Sequence, residues 1–191
     1  MPILKEIETR RAKRALAPTA IADEVLLRLA EAAHMAPSSL NSQPWRMITV
    51  RDPEVLDKLK ETLAPGNYWA KSAPAITAFV TNPAWGLTLG DVVYTPFELG
   101  MAAMAFQIQA IAEGLYVHPI AGYNAKKAKE VIGIREEDTL QTLIILGYPG
   151  ETNALSEKHL ESEHSVRSRI SLDEVACFDR WDERLVPKPK S

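Results

Sequence analysis

Residues 95–114 constrain the fold of this chain more than any other part of its sequence. The interior of the segment is rich in Ala, Met and Ile, and Thr95, Pro96 and Glu98 match a capping box at its start. Gly114 is a suitable C-terminal cap. Because a helix that is apolar on every side is buried on every side, the sequence predicts a long central helix that is buried all round.

Three apolar segments bounded by proline or turn residues are predicted to be strands: 46–50, 75–81 and 139–147. Helices are predicted at 23–35, at 53–63 after an Asp52 cap, and at 125–133 after an Asn124 cap. This mixture, without internal repeats, predicts an α+β fold. We expect one domain over residues 1–191, with residues 151–191 as a C-terminal arm.

Length and composition limit the function. A chain of 191 residues suits one globular domain, and its net charge of −3 argues against broad attraction to nucleic acid or membranes. No apolar run reaches the roughly 18 residues of a membrane span, and the N-terminus lacks a signal-peptide core. We therefore expect a cytoplasmic protein. The single Cys177 excludes an intrachain disulfide and is predicted to be a small buried apolar residue.

Two basic clusters stand out against this acidic background. The first cluster consists of Arg10, Arg11, Lys13 and Arg14. The second, far along the chain, consists of Arg167 and Arg169. Each could be an ordinary solvated surface. Arginine grips phosphate with two parallel hydrogen bonds, however, so we interpret the two clusters as one phosphate site. Nucleic acid is the alternative anion, but neither cluster carries interleaved aromatic residues for base stacking.

Two further motifs are suited to a polar, flat ligand. Residues 36–45, APSSLNSQPW, place many hydrogen-bonding side chains between prolines, although an ordinary turn has the same composition. Residues 118–123, HPIAGY, follow a strand-like segment at 115–117. Gly122 would let the backbone approach such a ligand, whereas His118 beside a proline is more often structural than catalytic. There is no G-x-G-x-x-G dinucleotide fingerprint.

Taken together, these motifs resemble the FMN-dependent nitroreductase family. RRAKR at 10–14, APSSLNSQPW at 36–45, GLYVHPIAGY at 114–123 and RSR at 167–169 occur in the order and spacing of that family. The resemblance implies a nitroreductase-like fold, with a central, mostly antiparallel sheet flanked by helices in an intertwined homodimer. Residues 96–113 would form the central dimer helix, and FMN would lie at each dimer interface.

The resemblance implies that the arginines of both clusters bind FMN. Arg10, Arg11 and Arg14 would hold its phosphate, ribityl chain and pyrimidine edge. Arg167 and Arg169 would complete the phosphate site. Arg14 is also predicted to tune the flavin potential, since cationic donors near N1 stabilise the reduced form.

The other motifs would contact the flavin ring. The serine-rich motif would reach it from the partner subunit, through Pro37, Ser38, Ser39 and Asn41. The ring would lie along Pro119, Ile120, Ala121 and Gly122. The Ala121 amide would approach flavin N5, and Asn67 would face the polar edge of the ring.

Two departures from the family pattern bear on function. A hydroxyl residue is usual where this chain has Ala12, so one hydrogen bond to the phosphate or ribityl chain is missing and FMN affinity should be lower. The segment 81–94 is short where longer members build a substrate cover. Its aromatic residues, Trp85 and Tyr94, are interpreted either as core or as a small lid.

The resemblance implies an oxidoreductase with a ping-pong cycle. NADH or NADPH would deliver hydride to flavin N5, leave, and be replaced by a small acceptor such as a nitroaromatic or a quinone. Neither a metal nor an acid–base side chain is required. The alternative is a flavin-binding protein with a role in storage or sensing, or with altered flavin chemistry.

Overall fold

The computed structural model describes residues 2–187. Its α-helices are α1 (Lys5–Thr9), α2 (Asp23–His34), α3 (Pro53–Lys60), α4 (Thr95–Ala112), α5 (Ala125–Ile132) and α6 (Glu157–His164). Its strands are β1 (Leu16–Ala17), β2 (Arg46–Val50), β3 (Ala75–Thr81), β4 (Thr88–Leu89), β5 (Val92–Val93), β6 (Tyr116–Ile120) and β7 (Thr139–Pro149). Short 3-10 helices cover Ser39–Asn41, Pro65–Ser72, Pro83–Trp85, Leu172–Glu174 and Glu183–Leu185. The predicted α+β class is confirmed.

The main sheet is antiparallel, with the strand order β1-β7-β3-β2 and with β6 also paired to β7. Ile145 of β7 pairs with Ile76 of β3 and with His118 of β6, so β7 has a neighbour on both edges. Strand β1 pairs with the C-terminal end of β7. The long β7 therefore ties together β1, which follows the first arginine cluster, and β6, which leads to residues 119–122.

Alternate residues of β3 contribute to two hydrophobic cores. Ala75 and Phe79 pack with α2 and α4, and the rings of Phe79 and Phe106 meet edge to face at 5.3 Å. Ile76 and Val80 belong to the other core, with Leu59 of α3. Successive side chains of a strand point to opposite faces, so helices cover both faces of the sheet. The prediction of an antiparallel sheet flanked by helices is confirmed.

Helix α4 is buried on one side only in the single chain. Leu99, Ala102 and Phe106 recur at helical spacing and are at most 1% exposed, whereas Phe97 is 65% exposed. The prediction of a helix buried all round is therefore wrong for one chain. The sheet and α2 cover one face of α4, and the opposite face is only partly covered.

The start of α4 also differs from the prediction. Its N-cap residue is Tyr94, and no side chain caps the helix. The Thr95 hydroxyl is buried without a hydrogen-bond partner in residues 2–187. The Glu98 carboxylate accepts a hydrogen bond from the backbone N–H of Ser39 instead of closing a capping box. A tertiary contact has replaced the local one.

Most predicted boundaries hold. Strands β2 and β3 have the predicted bounds, and the side chains of Asp52 and Asn124 cap α3 and α5 as expected. Helix α3 ends at Lys60, short of the predicted residue 63. Strand β6 continues through His118 to Ile120, where a loop was predicted, because its ladder with β7 extends that far.

The chain beyond residue 150 leaves the sheet. After α6 it forms only short turns up to residue 187, and its apolar side chains include Val166 at 90% and Phe178 at 93% exposure. Cys177 is exposed, so the prediction that it is buried is wrong. Leu155 still packs against the core that contains Leu59, whereas the apolar side chains that follow α6 are mostly exposed up to residue 187. That residues 151–191 act as an arm on a second copy stays a prediction, and residues 188–191 lie outside the described residues.

None of the helices within residues 2–187 is long and apolar enough to span a bilayer. No group of His, Cys, Asp and Glu side chains there is arranged to hold a metal ion.

Candidate functional site

The two basic clusters of the sequence lie together in the structure. The Arg167 guanidinium donates to the carbonyl oxygen of Ile7, at 3.3 and 3.4 Å, and to that of Arg10. Arg11 donates to the carbonyl oxygen of Ser165 at 2.8 Å. Segments separated by about 150 residues in sequence therefore form a single basic surface. The role of these arginines as phosphate ligands stays a prediction.

Of the cations on this surface in residues 2–187, Lys13 is paired with Glu163, whereas the guanidinium groups are not neutralised by acidic side chains. Burial, followed by the charges of Arg167, Arg169 and Arg11, lowers the pKa of Arg10. Within residues 2–187, neither these four arginines nor Arg14 forms an ion pair with a carboxylate. Crowded cations without acidic partners favour the binding of an anion.

The backbone of residues 13–15 is held from two sides. His118 Nδ1 donates to the carbonyl oxygen of Lys13 at 3.1 Å. The Glu163 carboxylate accepts hydrogen bonds from the amides of Arg14, at 3.0 Å, and Ala15, at 3.5 Å. Lys13 Nζ lies 3.9 Å from Glu163 Oε1 and also donates to the Glu163 carbonyl oxygen. The Arg14 side chain therefore starts from a fixed backbone.

His118 has a structural role in this arrangement. Its ring stacks on Trp69, with the centroids 4.6 Å apart, and the Arg14 guanidinium lies 6.0 Å from the centre of the same indole. Burial, and to a smaller extent the charges of Arg14, Arg10 and His159, lowers the pKa of His118 to about 4. The ring is therefore neutral near pH 7, with the proton on Nδ1 that it donates to the backbone.

Asn67 and the run 119–122, both predicted to contact the flavin ring, touch each other. Asn67 Nδ2 donates to the carbonyl oxygen of Gly122 at 2.8 Å. A Cβ at position 122 would lie 2.8 Å from that same nitrogen, so a larger residue there would displace the Asn67 amide from this bond. That Gly122 admits a flat ligand stays a prediction. Ala121 is exposed immediately after β6.

The serine-rich motif forms a strained turn. Leu40, Asn41 and Gln43 have φ values of 54°, 55° and 48°, which place three non-glycine residues in the left-handed region. The Ser38 hydroxyl accepts a hydrogen bond from the Gln43 amide at 2.9 Å, and the Gln43 side chain donates to Asn41 Oδ1 at 3.1 Å. Internal hydrogen bonds thus offset part of the backbone strain.

A buried carboxylate anchors this turn to α4. Glu98 is 1% exposed, and its Oε1 accepts from the Ser39 amide at 2.6 Å. Its Oε2 has no hydrogen-bond partner in the described part of the chain. From the sequence, Glu98 was predicted to belong to a helix cap, and this role was not predicted. Its position one turn before Ala102, on the apolar face of α4, was the available signal.

Glu163 is a second residue that the sequence analysis missed. It is 4% exposed, whereas its neighbour Glu161 on the same helix is exposed. Both stand in the polar segment ESEH, and nothing in that pattern distinguishes them. Only the tertiary structure identifies the buried one.

The strained turn and the basic surface remain separate within one chain. In residues 2–187, no hydrogen bond or ion pair joins residues 37–43 to either arginine cluster. Pro37 and Asn41 are exposed. The single chain therefore assembles the arginine part of the predicted site and leaves the serine-rich part facing outward.

Trp85 packs against its own chain. The guanidinium groups of Arg46 and Arg135 lie 4.9 and 6.0 Å from the centre of its ring, and the ring contacts the core that contains Leu59. Tyr94 is half-buried at the start of α4. Of the two interpretations of Trp85, core and lid, the structure supports the core.

Comparison with known proteins agrees with the motifs. The sequence profile of the Nitroreductase family matches residues 7–148. A putative NADH dehydrogenase/NAD(P)H nitroreductase of Archaeoglobus fulgidus is 30% identical over 150 residues, covering 76% of this chain and 84% of that protein. FMN reductase (NAD(P)H) of Bacillus subtilis is 36% identical over 207 aligned positions, covering 96% of this chain and 81% of that protein.

A solved structure described as an oxidoreductase containing FMN has the same fold. It superposes with a TM-score of 0.84 at 26% identity, over 95% of this chain and 94% of that chain. The profile spans most of the sequence, and the fold agrees over nearly its whole length. This chain therefore belongs to the nitroreductase family, as its motifs predicted.

Proposed function

We propose that this protein uses NADH or NADPH to reduce small acceptors such as nitroaromatics or quinones, with FMN bound at the basic surface. The observation that carries the proposal is the convergence of Arg10, Arg167 and Arg169 without acidic partners. The bond from His118 to Lys13 joins this surface to the strand that leads to residues 119–122. The predicted class, an NAD(P)H-dependent oxidoreductase with FMN, is confirmed at the level of the family.

The residues of this chain fit FMN. A phosphate dianion needs several cationic donors that are not already ion-paired, and the arginine surface supplies them. Ala12 is exposed within the first cluster and offers no hydroxyl. Phosphate binding therefore depends on the arginines and on backbone amides, and we expect a lower affinity than a hydroxyl at this position would allow.

When bound, FMN supplies the hydride chemistry, and the protein supplies position and charge. The Arg14 guanidinium forms no ion pair within residues 2–187, and we propose that its charge raises the reduction potential. Asn67 is bonded to the run 119–122 through the Gly122 carbonyl oxygen, and within this run the Ala121 amide is the proposed donor towards flavin N5. Donor and acceptor would use one pocket in turn, which is a ping-pong mechanism.

We propose a homodimer as the working form. Apolar side chains that one chain leaves exposed support this proposal: Phe97 on α4 and Val166, Phe178 and Trp181 in the C-terminal segment. The outward-facing serine-rich turn of each chain would then complete the site of the other. Sedimentation analysis of the purified protein should give twice the chain mass, and a monomer would contradict the proposal.

The visible spectrum of the purified protein, followed by anaerobic addition of NADH and then NADPH, tests the proposed function. A flavin spectrum that bleaches with either nucleotide and returns with a nitroaromatic or a quinone supports it. Bound flavin that neither nucleotide bleaches would favour the alternative of storage or sensing. Protein that stays colourless after incubation with FMN would contradict both. The cytoplasmic location and the absence of nucleic-acid binding stay predictions.

A further inference from the structure

Glu163 is the one buried residue of the eight-residue helix α6. It carries a carboxylate at 4% exposure in a helix whose other residues face solvent or are only partly covered. Burying a charge costs free energy unless the group is well bonded. The position of Glu163 therefore calls for a physical reason.

The hydrogen bonds of Glu163 supply that reason. Its two carboxylate oxygens accept from the amides of Arg14 and Ala15, at 3.0 and 3.5 Å, and Lys13 Nζ lies 3.9 Å away. All three partners belong to the segment that carries the first arginine cluster. The carboxylate thus neutralises part of the charge of Lys13 and leaves the guanidinium groups of the cluster free of ion pairs.

Helix α6 is fixed at both ends. Near its start, the hydroxyl of Tyr68 accepts from the Ser156 amide at 2.7 Å and shares a hydrogen bond with His159 Nδ1 at 3.1 Å. At its end, Arg11 donates to the Ser165 carbonyl oxygen at 2.8 Å. Tyr68 is adjacent in sequence to Asn67, so α6 bridges two segments with predicted FMN ligands.

We propose that Glu163 is a positioning residue for the phosphate site. It holds the backbone of Arg14 and, through α6, sets the point from which Arg167 reaches the carbonyl oxygens of Ile7 and Arg10. Anion binding at the arginine surface therefore depends on an acidic residue. This inference rests on the proposed function for the identity of the anion, and it requires only the basic surface for its geometry.

The proposal predicts a change in anion affinity opposite to the change expected from charge alone. Removing a negative charge close to an anion site should tighten binding if charge alone mattered. If Glu163 positions the arginines, its removal weakens binding instead. In Glu163→Gln one oxygen still accepts a hydrogen bond, but the new NH₂ group faces an amide that also donates. The shape of the side chain is nearly unchanged.

The experiment compares FMN with riboflavin, which lacks the phosphate. Dissociation constants are measured on flavin-free protein for the wild type, Glu163→Gln and the matched control Glu161→Gln, which removes the same charge from an exposed site. Loss of the charged hydrogen bonds should weaken FMN binding by roughly tenfold in Glu163→Gln. Riboflavin binding should weaken by a smaller factor, because riboflavin lacks the phosphate. The control should match the wild type for both flavins.

Several outcomes would overturn the proposal. FMN binding that is unchanged or tighter in Glu163→Gln would show that charge dominates. Equal weakening for FMN and riboflavin would show a general structural defect. Glu163→Asp keeps the charge and withdraws the carboxylate by one methylene, so it serves as the test if Glu163→Gln does not fold. It should lose more affinity for FMN than for riboflavin.

Inorganic phosphate separates this proposal from the proposed function. It should raise the melting temperature of the flavin-free wild type more than that of Glu163→Gln. If the wild type binds no FMN but shows this difference, the proposed function fails and the positioning role stands. If FMN binds and phosphate stabilises both proteins equally, the positioning role fails alone.

Discussion

Residues 10–15 and residues 37–43 carry many of the predicted FMN ligands, and the fold holds them in different ways. The first segment is bonded to β6 through His118 and to α6 through Glu163. The second is a turn with three left-handed residues, which the Glu98 carboxylate anchors to α4.

The difference indicates when each part of the site is completed. A segment bonded on both sides is already organised to bind its ligand once the chain has folded. A strained, exposed turn with polar side chains faces outward, where a second copy of the chain could use it. The following variants test this contrast, beginning with the largest expected effect.

The titration of His118 should produce the largest effect. Burial lowers its pKa from 6.5 to about 4, so the folded protein keeps the ring neutral while the unfolded chain binds a proton. The free energy of unfolding should therefore fall by roughly 3 kcal/mol as pH drops from about 6.5 towards 4. Above that range the ring is neutral in both the folded and the unfolded chain, and His118 causes no loss of stability.

Urea unfolding at several pH values measures this loss, with His118→Asn as the control. The asparagine amide can donate to the Lys13 carbonyl oxygen and does not titrate. The difference in stability between the two proteins should shrink as pH falls from 6.5 to 4. If the unfolding free energies of the two proteins change in parallel with pH, His118 does not contribute to the pH dependence of stability.

Replacing Glu98 should destabilise the serine-rich turn at residues 37–43. Glu98→Ala leaves the Ser39 amide without its acceptor and opens a cavity, so we expect a loss of about 2 kcal/mol in the free energy of unfolding. Glu98→Gln keeps an acceptor for Ser39 and removes a buried charge, and should cost clearly less. Urea unfolding distinguishes the two. Equal losses would mean that the charge itself stabilises the turn.

Replacing Arg14 should weaken FMN binding without unfolding the protein. Loss of one charged hydrogen-bond donor should reduce FMN affinity about tenfold, and the flavin should become harder to reduce. Fluorescence titration and a redox titration measure the two effects. Arg28→Ala, which removes a surface arginine paired with Glu113, is the control and should change neither. Unchanged affinity and potential in Arg14→Ala would remove its proposed role.

The smallest effect is expected from Ser38→Ala. The Ser38 hydroxyl accepts from the Gln43 amide at 2.9 Å, and its loss should cost about 1 kcal/mol of stability. Ser42→Ala is the matched control, since the buried Ser42 hydroxyl has no partner in residues 2–187. If the two variants are equally stable, the internal hydrogen bond of the turn contributes nothing measurable.

Local signals predicted much of the fold. Strands β2 and β3 were predicted with their observed bounds, because each is a short apolar run between turn residues. The caps at Asp52 and Asn124 were predicted because a cap involves residues only a few positions apart. The capping box at Thr95 failed although its pattern was as good, because Glu98 found a partner 59 residues away.

The candidate site was predicted less completely. The sequence motifs identified the arginines and the family, and the structure brings Arg10 and Arg167 together as one surface. The motifs did not reveal Glu163, which looks like its exposed neighbour Glu161. The lone cysteine, Cys177, was predicted to be buried, and the structure places it in an exposed segment. Burial depends on what packs against a residue, and a local pattern does not contain that information.

The sequence by itself determined the family, the α+β class and the residue types available to bind a phosphate. These follow from hydrophobic periodicity, capping chemistry and the order of short motifs. Only the tertiary structure decided which carboxylates are buried, how His118 and Glu163 hold residues 13–15, and that the serine-rich turn faces outward. These features depend on contacts between residues far apart in the chain, which form only when the sheet and helices pack together.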